Sequence, residues 1–181
     1  MADEILLEKI RDGDERAFRE LIKKYESQVA SIVMRMLGNT PEAEDVGQET
    51  FIRFFQSIDK FRGDSTVATY LTRIAMNLSL NELKRRKRRT FFSLNDENIE
   101  INIPDEDRST ENRETEELVE KALEKLEPKF RAVIVLRLLE GYSTAETAEI
   151  LALPIGTVLS RLARGQKKLK KIFEQYLGET L

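Results

Sequence analysis

The sequence predicts an all-α fold of two small helical domains, an N-terminal helical bundle and a C-terminal helix-turn-helix domain, joined by a flexible acidic linker. Three observations predict it. Apolar residues recur at helical spacing along most of the chain, and strand-like alternation is nearly absent. That period fails over residues 95–112, which collect Asn, Asp, Glu and Pro and have too little apolar surface to order themselves. The last third reads as a short apolar helix, a tight turn and a longer basic helix. At 181 residues, 40% hydrophobic and 35% charged, the chain has room for two helical cores with wet outer faces. The boundaries expected are 1–92, 93–113 for the linker, and 114–181.

Within the first domain, Ile5, Leu6, Leu7 and Ile10 mark a short helix ending near Gly13. Asp14 caps a second helix with Phe18, Leu21, Ile22, Tyr25, Val29, Ile32, Val33, Met36 and Leu37 on its inner face, and Gly38 stops it. Thr40-Pro41-Glu42 opens a third with a cap, a proline at the first helical position and an acid in the first turn. It runs to about Ser57, with Ala43, Val46, Thr50, Phe54 and Ile58 on one face. Residues 59–65 form a loop, so Phe61 falls outside any core period. A fourth helix spans about Thr66 to Arg89 and turns Tyr70, Leu71, Ile74, Leu78 and Leu83 inward.

The second domain begins near Glu114 with a helix carrying Leu118, Ala122 and Leu123. Pro128 starts another, through Phe130, Val133, Ile134, Leu136, Arg137 and Leu138 to Gly141. Ser143-Thr144-Ala145-Glu146 places a hydroxyl three residues before a carboxylate, the arrangement of a capping box. Ala152-Leu153-Pro154 interrupts the helix that follows, and a last helix runs from Ile155 to about Tyr176. Ala148, Ala152 and Val158 stand where a helix-turn-helix needs a small residue, a tight turn and an inward β-branched residue. The outer face of the last helix carries Thr157, Ser160, Arg161, Arg164, Lys167, Lys168 and Lys171. Hydroxyls near its start reach phosphates or base edges, and the cations neutralise phosphates. A plain helical hairpin with a solvated basic face is the bland alternative.

The net charge of −3 runs against nucleic-acid binding, but the charges are segregated. Residues 84–89 are an unbroken basic run, 96–117 are mostly acidic, and cations return from Arg161. Local patches set the field that DNA meets. The chain has no Cys and no His, which removes thiolate chemistry, disulfides and the commonest general base and metal ligand. No phosphate loop, signal peptide or membrane-length apolar run is present. No cofactor, metal or small-molecule substrate is expected. Asp105-Glu106-Asp107 reads as a solvated charge run rather than a cation site.

Two segments of the N-terminal domain exceed what packing needs. Asp45, Gln48, Glu49 and Ile52 share a half-apolar, acidic face of the third helix, which is either solvated or a docking face. Gly47 lies in the same helix at a cost of about 1 kcal/mol, and close approach of a neighbouring helix would account for it. On the fourth helix, Arg73, Asn77, Asn81 and Lys84 with Arg85 recur on one face beside the Phe61–Ser65 loop. Asn amides hydrogen-bond bases, and an aromatic beside a cationic helix stacks an unstacked base.

Four stretches, in this order and with this linker, resemble bacterial sigma factors of the sigma-70 family, extracytoplasmic-function (ECF) group. They are AEDVGQETF at 43–51, FRGDS at 61–65 with YLTRIAMNLSLN at 70–81, LEKLEPKFRAVIVLR at 123–137 and PIGTVLSR at 154–161. The resemblance implies a cytoplasmic, non-enzymatic initiation factor that binds core RNA polymerase, recognises promoters, helps melt the −10 region and is held by an anti-sigma factor. It implies that Asp45, Gln48, Glu49 and Ile52 dock on the polymerase β′ coiled coil. It gives the −10 element to Phe61, Arg62, Gly63, Asp64, Ser65, Arg73, Asn77, Asn81, Lys84 and Arg85. It sets the C-terminal domain on the β flap. The −35 element falls to Ser143, Thr144, Gly156, Thr157, Leu159, Ser160, Arg161, Arg164, Lys167 and Lys168.

The chain departs from the family pattern at several positions. Tyr70 stands where Trp is usual, Val67 is smaller than the common aromatic nearby, and Thr147 stands where Ile is typical. Leu159 replaces a cation, Gln166 a common Arg, and Ala152 the turn glycine, where a positive φ would cost Ala about 1 kcal/mol. Two other classes remain compatible with the residues. A free-standing helix-turn-helix regulator would bind a two-fold site as a dimer, though no dimerisation helix is evident. A helical adaptor with a vestigial DNA-binding domain is the other.

Overall fold

The computed structural model describes residues 2–93 and 111–178, and among these every regular element is helical. The acidic linker and Asp105-Glu106-Asp107 lie outside the described residues, apart from the linker's ends. In chain order the helices are α1 (Ala2–Arg11), α2 (Glu15–Leu37), α3 (Pro41–Ser57), α4 (Val67–Ser93), α5 (Glu111–Glu124), α6 (Pro128–Ile134), α7 (Thr144–Leu151) and α8 (Ile155–Gly178). A single 3₁₀ turn, Ile58–Lys60, follows α3, and a π-helical turn, Val135–Leu139, extends α6. The expected helix through residue 138 therefore widens over its second half, where Glu140 N–H donates to Val135 O at 2.9 Å. Leu138 is left exposed.

Local chemistry fixes most boundaries. The Asp14 carboxylate accepts from the amides of Arg16 (2.8 Å) and Ala17 (3.2 Å), opening α2. These bonds hold its pKa below the ordinary carboxylate value. Thr40 occupies the cap position of α3 but its hydroxyl caps nothing; it accepts instead from Arg86 at 2.7 Å. The Ser143 hydroxyl accepts from Glu146 N–H (3.2 Å) while the Glu146 carboxylate accepts from Ser143 N–H (2.8 Å), so the capping box of α7 is complete. Ala152 ends α7 in the left-handed region at φ 50°, ψ 49°.

α2, α3 and α4 pack mutually, with α1 across α2; α6, α7 and α8 form the second group. The inner residues of α3, Ala43, Val46, Thr50, Phe54 and Ile58, are all buried as their spacing predicts. The two groups are not separate bodies. One apolar cluster runs from Leu21, Ile32 and Met36 through Leu71 to Leu126, Ile134, Leu136 and Ile150.

Polar contacts reinforce that junction. Tyr142 hydroxyl meets Thr72 Oγ1 at 2.7 Å and accepts from Gln28 Nε2 at 2.9 Å. The Glu140 carboxylate accepts from Arg35 (2.7 Å) and Ser31 (2.9 Å). Arg131, only 5% exposed, donates to Met36 O at the end of α2 (2.6 Å) and to Leu126 O (3.2 Å). A cation there meets the negative end of the α2 dipole.

Candidate nucleic-acid interface

α8 is positioned by its buried side. Val158 packs with Val133 and Ala148 in a small cluster of its own, and Leu162 and Leu169 extend toward the core. Gly165 lies against α6 so closely that an added Cβ would come within 3.1 Å of the Ile134 side chain. That contact fixes the rotation of α8. Outward then stand Gly156, Leu159, Ser160, Arg164 and Lys167, all exposed, with Thr157 and Arg161 half-buried at the edge. Ser160 Oγ donates to Thr157 O at 3.0 Å, so toward a ligand it is an acceptor. Lys168, expected among the DNA contacts, also turns toward α6: it pairs with Glu127 at 3.1 Å and approaches the Phe130 ring. Bonds from Lys129 and Lys168 hold the Glu127 pKa low. Ser143 is exposed and Thr144 half-buried at the start of α7.

The face expected to meet the −10 element is less uniform. Arg62, Gly63 and Asp64 are exposed and Ser65 is half-buried. Phe61 differs from the sequence expectation: its ring is 8% exposed and packs against Tyr70 (5.1 Å between centroids) and Phe54 (6.4 Å). The Arg11 guanidinium donates to Phe61 O at 2.8 Å and to Ile58 O at 3.3 Å, fixing the loop to α1. Most of the Phe61 side chain is therefore used to anchor the loop. The loop and α1 border an open concavity of about 1170 Å³, with Arg11, Asp59, Phe61, Arg62 and Asp64 among its lining residues. That volume admits an unstacked base. On α4, Asn77, Asn81, Lys84 and Arg85 are exposed, with Arg85 paired to Glu82 at 2.7 Å. Arg73 lies over the Tyr70 ring and 3.9 Å from Glu149 of α7.

On α3, Asp45, Gln48 and Ile52 are exposed; Glu49 is half-buried and accepts from Arg53 at 2.7 Å. Gly47 is not explained by a neighbouring helix, because a Cβ there would meet nothing within 4 Å. It lines an apolar groove of about 310 Å³ between α2 and α3, walled by Ile22, Val29, Val33, Met34 and Phe51, with Glu26 and Glu44 also lining it. Among the described residues no group of three or more acidic side chains is arranged to hold a metal ion. None of the described helices is long and apolar enough to cross a membrane.

The sigma-70 region 2 family matches residues 21–89 and the sigma-70 region 4 family residues 116–169. The RNA polymerase sigma-H factor of Pseudomonas aeruginosa is 33% identical over 98% of this chain and 96% of its own. The ECF RNA polymerase sigma-E factor of Escherichia coli is 36% identical, covering 93% of each chain. A solved structure of CnrH in complex with the cytosolic domain of CnrY superposes with a TM-score of 0.69, at 27% identity, over 97% of this chain and 99% of that one. The chain belongs to the ECF group of the sigma-70 family. As an ECF sigma factor it directs transcription initiation at promoters, and proteins of this family are non-catalytic initiation factors.

Three residues of this sigma factor escaped sequence reasoning. Arg86, inside the basic run, turns inward to bond Leu37 O (2.9 Å), Thr40 (2.7 Å) and Glu82 (3.4 Å). Arg11 holds the loop. Arg131 joins the two helix groups. Each acts on backbone carbonyls or side chains far away in sequence, and local pattern carries no sign of such pairings. Glu82, buried four residues before Arg86 in a helix, is the one available hint.

Proposed function

We propose that this ECF sigma factor acts in the cytoplasm with its contacts divided among three faces. Residues 1–92 serve as the polymerase-docking and −10 unit, 93–113 as a linker, and 114–181 as the −35 unit. Asp45, Gln48, Glu49 and Ile52, continued by the groove at Gly47, meet the β′ coiled coil. Arg62, Asp64, Asn77, Asn81, Lys84 and Arg85 face the melted −10 strand, around a loop whose shape Phe61 maintains. Arg73 reaches DNA only after leaving Glu149. Gly156, Thr157, Leu159, Ser160, Arg161, Arg164 and Lys167 enter the −35 major groove, with Ser143 and Thr144 at the backbone and the second helix group on the β flap. An anti-sigma factor holds the protein inactive, a reading supported by the likeness to CnrH in its complex with CnrY.

One observation carries the proposal. The exposed face of α8 is cationic and follows directly on the tight turn at Ala152 that ends the capped helix α7, while the exposed face of α3 is acidic and adjoins an open apolar groove. The test adds the chain to purified core polymerase and follows transcription from a randomised promoter library. Specific starts that depend on both elements are expected. Glu49→Lys is expected to weaken core binding by at least tenfold while leaving folding nearly unchanged, since its exposed i,i+4 pair is worth only about 0.3–0.5 kcal/mol. Equal core affinity for both proteins removes the α3 assignment.

A further inference from the structure

Two large apolar side chains stand in solvent on a helix otherwise equipped to meet a polyanion. Ile155 is 54% exposed and Leu159 51% exposed. One helical turn apart, they form a continuous strip. Among the described residues neither belongs to a hydrophobic cluster; α8 meets those through Val158, Leu162 and Leu169. From Ile155 to Lys171 the helix carries six cations and no acid. A single exposed Leu needs no explanation. A pair in register at the entry end of a basic recognition helix does, because the first turns of such a helix lie against base edges.

The chemistry around the strip selects its occupant. The cations call for a phosphate-bearing partner. The apolar group that duplex DNA offers in its major groove is the thymine 5-methyl. Ser160, next to Leu159, has its hydroxyl proton committed to Thr157 O at 3.0 Å. In that arrangement its free lone pairs face outward and suit an exocyclic amine. An A·T pair presents both features in the major groove, the thymine methyl and the adenine N6 amine. We infer that Ile155 and Leu159 are specificity-determining residues that read thymine methyl groups in the −35 element, with Ser160 accepting from an adjacent amine. The inference rests on the reading of α8 as the −35 helix.

The test uses holoenzyme assembled from the full chain and purified core polymerase. The −35 element is first selected from a randomised library. Each thymine of the selected element, on either strand, is then replaced by 2′-deoxyuridine, which removes only the methyl. At one or two positions the wild-type holoenzyme is expected to lose about fourfold in affinity, the equivalent of one buried methyl-sized group. The Ile155→Ala/Leu159→Ala chain is expected to bind thymine and uracil templates alike; alanine at exposed helical positions keeps the helix. Insensitivity of the wild type to the methyl overturns the inference, as does a methyl effect that survives in the double variant. So does a double variant that loses core-polymerase affinity with unchanged DNA preference, since the strip is then a protein contact. A selection that returns no −35 preference at all instead refutes the role of α8 itself.

Discussion

Ala152 holds the turn of the helix-turn-helix in a backbone conformation that suits glycine. It is the one non-glycine residue with positive φ among the described residues, at φ 50° and ψ 49°. An L-residue with a Cβ in the left-handed region carries roughly 1–2 kcal/mol of strain. Ala152→Gly removes it. The methyl is exposed, so no burial is lost. The bonds that close the turn, Ala152 N–H to Glu149 O at 3.1 Å and Leu153 N–H to Ala148 O at 2.9 Å, are main-chain and stay. Against this, glycine makes the unfolded chain more flexible, which costs about 0.4–1 kcal/mol. The net gain is about 0.5–1 kcal/mol. For a protein of this size that raises Tm by roughly 1–4 °C. Because α7 and α8 share a core with α2 and α4, the gain is expected in the main thermal transition followed by far-UV circular dichroism. Ala152→Val should move Tm the other way, since a β-branched residue tolerates positive φ worst. A lower Tm for the glycine variant, or no difference between the two variants, refutes the strain argument.

Three further outcomes are expected. Thr147 is fully buried and its hydroxyl has no hydrogen-bond partner; Thr147→Val should raise stability by about 1 kcal/mol, read as a higher urea midpoint at unchanged slope, and a lower midpoint would show that the hydroxyl is satisfied. Phe61→Ala empties a buried site beside Phe54 and Tyr70, so a loss of about 3 kcal/mol in stability is expected, with no rescue of open-complex formation by a pre-melted template; a fully stable variant rescued by the bubble would return Phe61 to base stacking. Arg35 and Glu140 bridge the helix groups at 2.7 Å, and a double-mutant cycle to alanine should give a coupling of about 1 kcal/mol in the unfolding free energy of the isolated chain. A coupling near zero would mean the two groups part in solution.

The amino-acid sequence was enough to set the helices, the caps at Asp14 and Ser143 and the helix-turn-helix, though not the use of Thr40, whose hydroxyl bonds Arg86. These are set by nearest neighbours: the apolar period that buries Ala43 through Ile58, the Ser143–Glu146 exchange, the left-handed residue at 152. It also determined the family, because four stretches in one order are read without coordinates. Packing between distant segments decided that Phe61 is an anchor, that Gly47 opens onto a groove, that Arg86 faces inward and that Lys168 leans on Glu127. It likewise decided that the two helix groups share a core through Arg131, Glu140 and Tyr142. The physical reason is common to all of them. A side chain's local period says which way it points from its own helix, whereas its partner is whatever carbonyl, ring or cation a distant segment brings within about 3–5 Å.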